Sequence, residues 1–159
     1  MRVLVMIKGS GRDEERIAPT TEMFEEMGRY NEELTKAGIL LDGDGLRPSS
    51  AGVKVVFAAG GETSVVDGPF TEAKEIVAGY WIWQVSSLEE AVEWAKRCPY
   101  DAYYGAEQVL EIRPYAEMED FGEAYTPEVR RARRSWPPAR GPEVPIAVDV
   151  HRRIEAIWR

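Results

Sequence analysis

The segment that most constrains the fold is residues 76–85, which carries apolar side chains on both of its alternating faces. In an extended strand, successive side chains point to opposite sides. A strand that is apolar on both faces needs cover on both sides. We therefore expect two different apolar layers around it. One layer meets Ile76, Ala78, Tyr80 and Ile82, and the other meets Val77, Trp81, Trp83 and Val85.

The flanking segments supply the other elements of an α+β chain. Apolar and β-branched runs predict strands over residues 2–8, 39–46, 53–59, 63–66 and 108–113, with a glycine pair turning the middle two into a hairpin. Helical spacing predicts a helix that opens at residues 19–21 and stops at Gly38. A second helix follows two overlapping capping boxes at residues 86–90. It is expected to bury Leu88, Ala91, Val92 and Ala95.

This order of elements is that of a ferredoxin-like βαβ-hairpin-βαβ sheet. Right-handed crossovers would place both helices on one face of an antiparallel sheet. The other face would then be bare and apolar. A homodimer with the two sheets packed face to face would cover it.

Composition excludes several function classes. The net charge is −8, and residues 1–120 alone hold 12 basic and 23 acidic residues, so we expect no binding to nucleic acid or anionic membranes. No apolar run approaches the roughly 20 residues of a membrane span. The opening segment is interpreted as a strand of a cytoplasmic protein. Cys98 is the single cysteine of the chain, so it can form neither an intramolecular disulfide nor a cysteine-cluster metal site. Nothing in the sequence requires a metal or an organic cofactor.

The chain divides into a main domain, residues 1–122, and a C-terminal helical extension, residues 123–159. The extension holds 8 arginines against 5 acidic residues. Residues 127–136 are predicted to form a short helix, and an apolar stripe predicts a final helix over residues 146–158. The only histidine, His151, lies in that final helix and is interpreted as a surface or packing residue.

Residues 67–75 carry the most distinctive chemistry. Asp67-Gly68-Pro69-Phe70 has the composition of a turn. The following residues bring a hydroxyl, acids and an amine close together. Asp67 is the candidate base and Lys74 the candidate clamp for an anionic ligand, and these two are the predicted catalytic pair. The predicted ligand-binding residues are Phe70, Thr71, Glu72, Tyr80 and Tyr103.

These residues resemble a known family. The run Asp67-Gly68-Pro69-Phe70-Thr71-Glu72-Ala73-Lys74-Glu75 is similar to the DGPF signature of the YCII-related family, and the similarity extends over about residues 1–122. Flanking blocks agree with it, at residues 1–6, 37–40, 43–48, 79–80, 91–95, 98–99, 111–114 and 117–122.

The resemblance implies a ferredoxin-like fold that forms a dimeric α/β barrel. A His-Asp pair is proposed as catalytic in some YCII-like relatives, but no histidine lies in the matched region here. Other DGPF proteins are associated with extracytoplasmic-function sigma factors.

Three functions stay open from the sequence. The chain could be an enzyme or binder of a small, anionic molecule at the DGPF turn. It could be a non-catalytic binding or regulatory module that senses a ligand or docks a protein such as a sigma factor, with the extension as the docking element. Alternatively, residues 67–74 could serve only to lock the hairpin to the rest of the fold.

Overall fold

The computed structural model describes residues 1–9, 20–70, 75–100, 108–117, 120–122 and 126–134. Its strands and helices, in chain order, are β1 (Arg2–Gly9), α1 (Thr21–Lys36), β2 (Leu40–Gly45), β3 (Val53–Phe57), β4 (Thr63–Asp67), β5 (Ile76–Gln84), α2 (Leu88–Ala95), β6 (Val109–Pro114) and α3 (Pro127–Arg134). A 3-10 turn, Ser49–Ala51, precedes β3. The predicted helix over residues 146–158, with His151, lies outside the described residues.

Four strands form the main sheet in the order β2-β5-β1-β6, and every neighbouring pair is antiparallel. With β3 and β4 set aside, this is the strand order of a ferredoxin-like βαββαβ sheet. The α+β, ferredoxin-like prediction is therefore confirmed. The two-faced strand β5 lies inside the sheet, between β2 and β1, as its apolar pattern requires.

Both crossover helices cover one face of this sheet. The buried core includes Trp81 and Trp83 of β5, Val85 just after it, and Val3 and Val5 of β1. The helices contribute Tyr30, Leu34 and Ala91 to the same cluster. One buried polar contact orders it, because the Trp81 indole donates a hydrogen bond to Asn31 Oδ1 at 3.0 Å.

Helix α1 begins and ends where its sequence predicts. The Thr20 hydroxyl accepts a hydrogen bond from the Met23 backbone N–H and so satisfies one free donor of the first turn. At the other end, Gly38 has a φ of +72°, which a side chain disfavours and which stops the helix.

The prediction for helix α2 is wrong in part. Ala91 is buried and Ala95 packs against the core, but Leu88 and Val92 are exposed. The face toward the core carries Ala91, Trp94 and Ala95, and Cys98 continues it just after the helix. At about 100° per residue, Leu88 and Val92 lie at the edge of this face and remain exposed.

The second face of the main sheet has no helix among the described residues. Leu4, Met6, Tyr80 and Ile82 alternate to this side, opposite the buried valines and tryptophans, and are half-buried. We call this set the open face. None of the helices in the described part of the chain is both long and apolar enough to span a membrane.

Strands β3 and β4 form a separate two-stranded sheet, which we call the ribbon. It is the predicted hairpin, turned at residues 58–62 by hydrogen bonds between Ala58 and Glu62 and between Gly61 and Ala58. The register pairs Val53 with Asp67 and Phe57 with Thr63. All ten strand residues are exposed.

Candidate functional site

The DGPF turn, residues 67–70, closes the base of the ribbon. Asp67 is the last residue of β4, and the Gly68 N–H donates to the Gly52 carbonyl at 3.0 Å. The Phe70 N–H donates to Ser49 Oγ at 3.1 Å. The peptide bond between Gly68 and Pro69 is cis. The turn is thus fastened to the segment that leads into β3, and the two ends of the ribbon are held together.

Gly68 approaches that segment too closely for a side chain. A Cβ at this position would lie 2.6 Å from the Ser49 carbonyl carbon and 3.2 Å from the Gly52 carbonyl oxygen. Contacts under 3.0 Å with a backbone group cannot be relieved by moving a side chain. The glycine of the DGPF signature is therefore needed for the packing of the turn on Ser49.

Phe70 and Lys54 meet beside the turn. The Lys54 ammonium lies 4.1 Å from the centroid of the Phe70 ring, which is a cation–π contact. The Phe70 ring also faces the open side of Gly52, where a Cβ would lie 3.7 Å from the ring. Within the described part of the chain, no carboxylate lies at ion-pair distance from Lys54. This ammonium is therefore a positive group held on an aromatic surface at the signature turn.

Lys54 and Ser49 are the residues that sequence reasoning missed. Lys54 is the one charged residue in the apolar run Val53-Lys54-Val55-Val56-Phe57. This isolated charge was the sequence signal that could have indicated a site residue. Ser49 gave no comparable signal, because a serine in a polar turn is common. Its importance comes from burial, since only 7% of it is exposed.

Asp67, the predicted base, is exposed at the end of β4. It pairs with Val53 across the ribbon, so alternation puts its side chain on the face opposite to Lys54. The structure therefore brings Phe70 together with Lys54 and directs Asp67 to the other face.

The far end of the signature segment is held by a second cluster. Lys8 Nζ lies 2.6 Å from Glu75 Oε2 and 2.9 Å from Glu111 Oε2, and the lysine side chain is 16% exposed. The two carboxylates raise the pKa of Lys8, Glu75 having the larger effect. Lys8 in turn lowers the pKa of Glu111. Lys8 thus ties the residue before β5 to β6 across β1.

The other predicted site residues divide into two groups. Tyr80 lies in the open face, paired with Met6 on β1 and Asp44 on β2. Thr71, Glu72, Lys74 and Tyr103 lie outside the described residues, so the predicted roles of Lys74 and of these ligand-binding residues stay predictions.

The state of Cys98 and the distribution of possible metal ligands also bear on the chemistry. Burial raises the pKa of the Cys98 thiol to about 12, so this thiol is protonated and a poor nucleophile at neutral pH. Among the described residues, no cluster of three or more histidine, cysteine, aspartate or glutamate side chains could hold a metal ion.

Comparison with known proteins gives two matches. A family model for the YCII-related domain matches residues 1–119. Over 51 residues, the chain is 41% identical to an uncharacterized protein of Rhizobium meliloti (strain 1021). That alignment covers 32% of this chain and 40% of the relative, so the chain spans less than half the length of the relative that it matches.

The family match includes every strand of the main sheet and the ribbon with its DGPF turn. The chain therefore belongs to the YCII-related family.

Proposed function

We propose that this YCII-related chain acts as a homodimer that binds a small anionic molecule beside the DGPF turn. In the dimer, the open faces of two sheets pack together and form a dimeric α/β barrel. The ligand lies against Phe70, and its negative charge meets Lys54 and Lys74.

The observation that supports the ligand site most directly is the position of the Lys54 ammonium on the Phe70 ring. An ammonium that rests on an aromatic face keeps its outer hydrogens available to an acceptor. A hydrogen bond to a charged group contributes about 1.5–3 kcal/mol. The ring supplies apolar contact for the rest of a small ligand. Together these groups suit a compact carboxylate or phosphate monoester.

The open face supports the homodimer. Leu4, Met6, Tyr80 and Ile82 form an apolar centre on a sheet face that no described helix covers. A second copy offers the same surface, so a two-fold interface would cover both.

Binding is favoured over acid–base catalysis at this turn. Asp67 is exposed and points to the other face of the ribbon, so it is poorly placed to exchange a proton with a ligand that touches Phe70. In this proposal, Asp67 helps to shape the turn and Lys54 recognises the ligand.

The test is a thermal-shift screen followed by calorimetry. The probes are aliphatic carboxylates, aromatic carboxylates and phosphate monoesters, with sodium chloride as the ionic-strength control. A ligand at about a hundred times its Kd stabilises the folded state by about 2.7 kcal/mol, which gives a measurable rise in Tm. Lys54→Met keeps the length of the side chain and removes its charge. It is expected to weaken binding at least about tenfold, because a tenfold change corresponds to about 1.4 kcal/mol.

Lys36→Met is the matched control. Lys36 is an exposed lysine of α1 whose ion pair with Glu32 is also exposed, so its removal should leave binding unchanged. Equal binding by wild type and Lys54→Met would show that the anion site is elsewhere. If no probe binds the wild-type protein, the proposal fails. The regulatory alternative, in which a sigma factor binds this chain only while residues 123–159 are present, then becomes the better one.

A further inference from the structure

The ribbon exposes apolar side chains on both of its faces. Alternation divides them into a Val-Phe face, with Val53, Val55, Phe57 and Val65, and a Lys face, with Lys54, Val56 and Val66. Phe57 is 79% exposed and Val65 is 65% exposed, the highest values among the large apolar side chains of the described residues. The ribbon is therefore the most exposed apolar surface in the described part of the chain.

Such a ribbon does not fit a free monomer in water. A lone two-stranded hairpin is at best marginally stable, and independent stability needs a third strand or a packed face. The exposed valines and Phe57 lie on two opposite faces of the ribbon, so neither face covers the apolar side chains of the other. Some other surface must therefore cover them.

We propose that the ribbon is an intersubunit arm, and that its Val-Phe face packs against the Val-Phe face of the ribbon of a second copy. The inference rests on the homodimer of the proposed function. It adds a surface that the open face alone does not supply, and it is independent of the ligand.

Area supports a second copy as the occupant. Specific interfaces bury about 1,200–2,000 Å² in total, and the Val-Phe faces of two copies would add their apolar area to that of the two open faces. An isologous contact needs a self-complementary patch, and the register centres this face on the Val55–Val65 pair, with Val53 and Phe57 on either side.

Charge supports the same occupant. The chain carries a net charge of −8, so two copies repel each other over most of their surface. Residues 53–67 contain only three charged residues, Lys54, Glu62 and Asp67, and within the strands the Val-Phe face carries a charge only at Asp67, at its base. This face is therefore a place where two copies can approach with little repulsion.

Sedimentation velocity on the full chain, over about a hundredfold range of concentration, tests the inference. The wild-type protein is expected to be a dimer. Phe57→Glu and Val65→Glu place a carboxylate in the interface and should raise the dimer Kd by more than about tenfold. Val92→Glu is the matched control, because Val92 is exposed on α2, on the helix side of the main sheet, and this variant should dimerise as wild type does.

A milder pair protects the test against loss of folding. Val55→Thr with Val65→Thr keeps β-branched side chains and strand preference, so the monomer should fold with an unchanged circular dichroism spectrum. If the Glu variants precipitate, the dimer Kd of the Val55→Thr, Val65→Thr double variant tests the inference instead. This Kd is expected to be higher than that of the wild type.

Two outcomes would overturn the inference in distinguishable ways. If the wild type dimerises and the ribbon variants dimerise equally well, the dimer is held by the open face and only the arm is wrong. If the wild type sediments as a monomer at every concentration, the homodimer fails as well. The cover of the ribbon would then be the C-terminal extension or a different protein.

Discussion

Gly68 shows how one residue links the signature to the fold. Its N–H bonds to Gly52, and its Cα lies against the Ser49 carbonyl group, where any side chain would overlap the backbone. The family signature therefore contains at least one position whose role is packing. Phe70, two residues later, packs against both Gly52 and the Lys54 ammonium.

Replacing Gly68 by alanine should destabilise the protein by about 3 kcal/mol, because the backbone must shift to admit the methyl group. Urea unfolding of Gly68→Ala and Gly60→Ala measures this. Gly60 lies at the ribbon tip, where an added methyl group would meet no heavy atom within 4 Å, so its variant should change stability by less than about 0.5 kcal/mol. Equal stability of the two variants would contradict the close approach.

Lys8 should give a pH-dependent contribution to stability. The pKa of Glu111 is lowered in the folded state, so its contribution is complete above the ordinary value of 4.5 and is lost as pH falls through the lowered pKa. The pKa of Lys8 is raised, so its contribution is complete below the ordinary value of 10.5 and is lost as pH rises through the raised pKa. The cluster is expected to stabilise the fold throughout neutral pH.

Lys8→Met should therefore unfold at lower urea than wild type at about pH 7, and the difference should shrink as the pH is lowered toward about 3. Lys36→Met, which removes an exposed pair, is the control and should differ little from wild type at either pH. A difference for Lys8→Met that is the same at both pH values would mean that the lysine stabilises by packing alone.

At the scale of the elements, local patterns were sufficient for the main sheet. The two-faced strand β5 and the capped helix α1 were predictable because their signals are periodic and local. The exposure of Leu88 and Val92 was not predictable from the sequence, because a short helix can turn either of two neighbouring stripes toward the sheet. Which stripe is buried depends on the contacts that Ala91, Trp94 and Ala95 make with the core.

The candidate site was less predictable than the fold. Asp67 and Phe70 are three residues apart in the sequence, yet alternation and the turn place them on different sides of the ribbon. The contacts that define the turn join residues far apart in the chain, such as Ser49 with Phe70. The cluster around Lys8 joins β1 to residues 75 and 111. No local pattern carries information on such pairs.

The turn Ser49–Ala51 offers a test at this scale. Ser49→Ala removes the acceptor of the Phe70 N–H and should lower stability by about 1–2 kcal/mol. Ser50→Ala changes an exposed serine in the same turn and should leave the free energy of unfolding nearly unchanged. The difference between the two variants in chemical unfolding then gives the contribution of the buried Ser49 hydroxyl. A similar loss of stability in both variants would mean that serine stabilises the turn through its conformational preference and not through the Ser49–Phe70 hydrogen bond.

At the scale of the whole molecule, charge and apolar surface act in opposite directions. In the proposed dimer, the net charge of −8 opposes the approach of two copies, while the apolar open face and ribbon would favour it. Salt screens the first effect, because the Debye length falls from about 30 Å at about 0.01 M to about 8 Å at about 0.15 M ionic strength. Burial of apolar surface is much less sensitive to salt over this range.

The dimer Kd should therefore fall by several-fold when sodium chloride is raised from low to physiological concentration. Sedimentation at matched protein concentrations measures this. A Kd that rises with salt would show that the interface depends on ion pairs, in conflict with an apolar one.

The fastened base of the ribbon has a practical consequence for protein engineering. Because Ser49, Gly52, Gly68 and Phe70 join its two ends, the tip at Gly60-Gly61 is a loop that is already closed. Lengthening a closed loop costs little, about 0.6 kcal/mol for each doubling. A fluorophore-binding peptide or an epitope grafted at the tip would therefore report on the surroundings of the ribbon while the DGPF turn keeps its geometry.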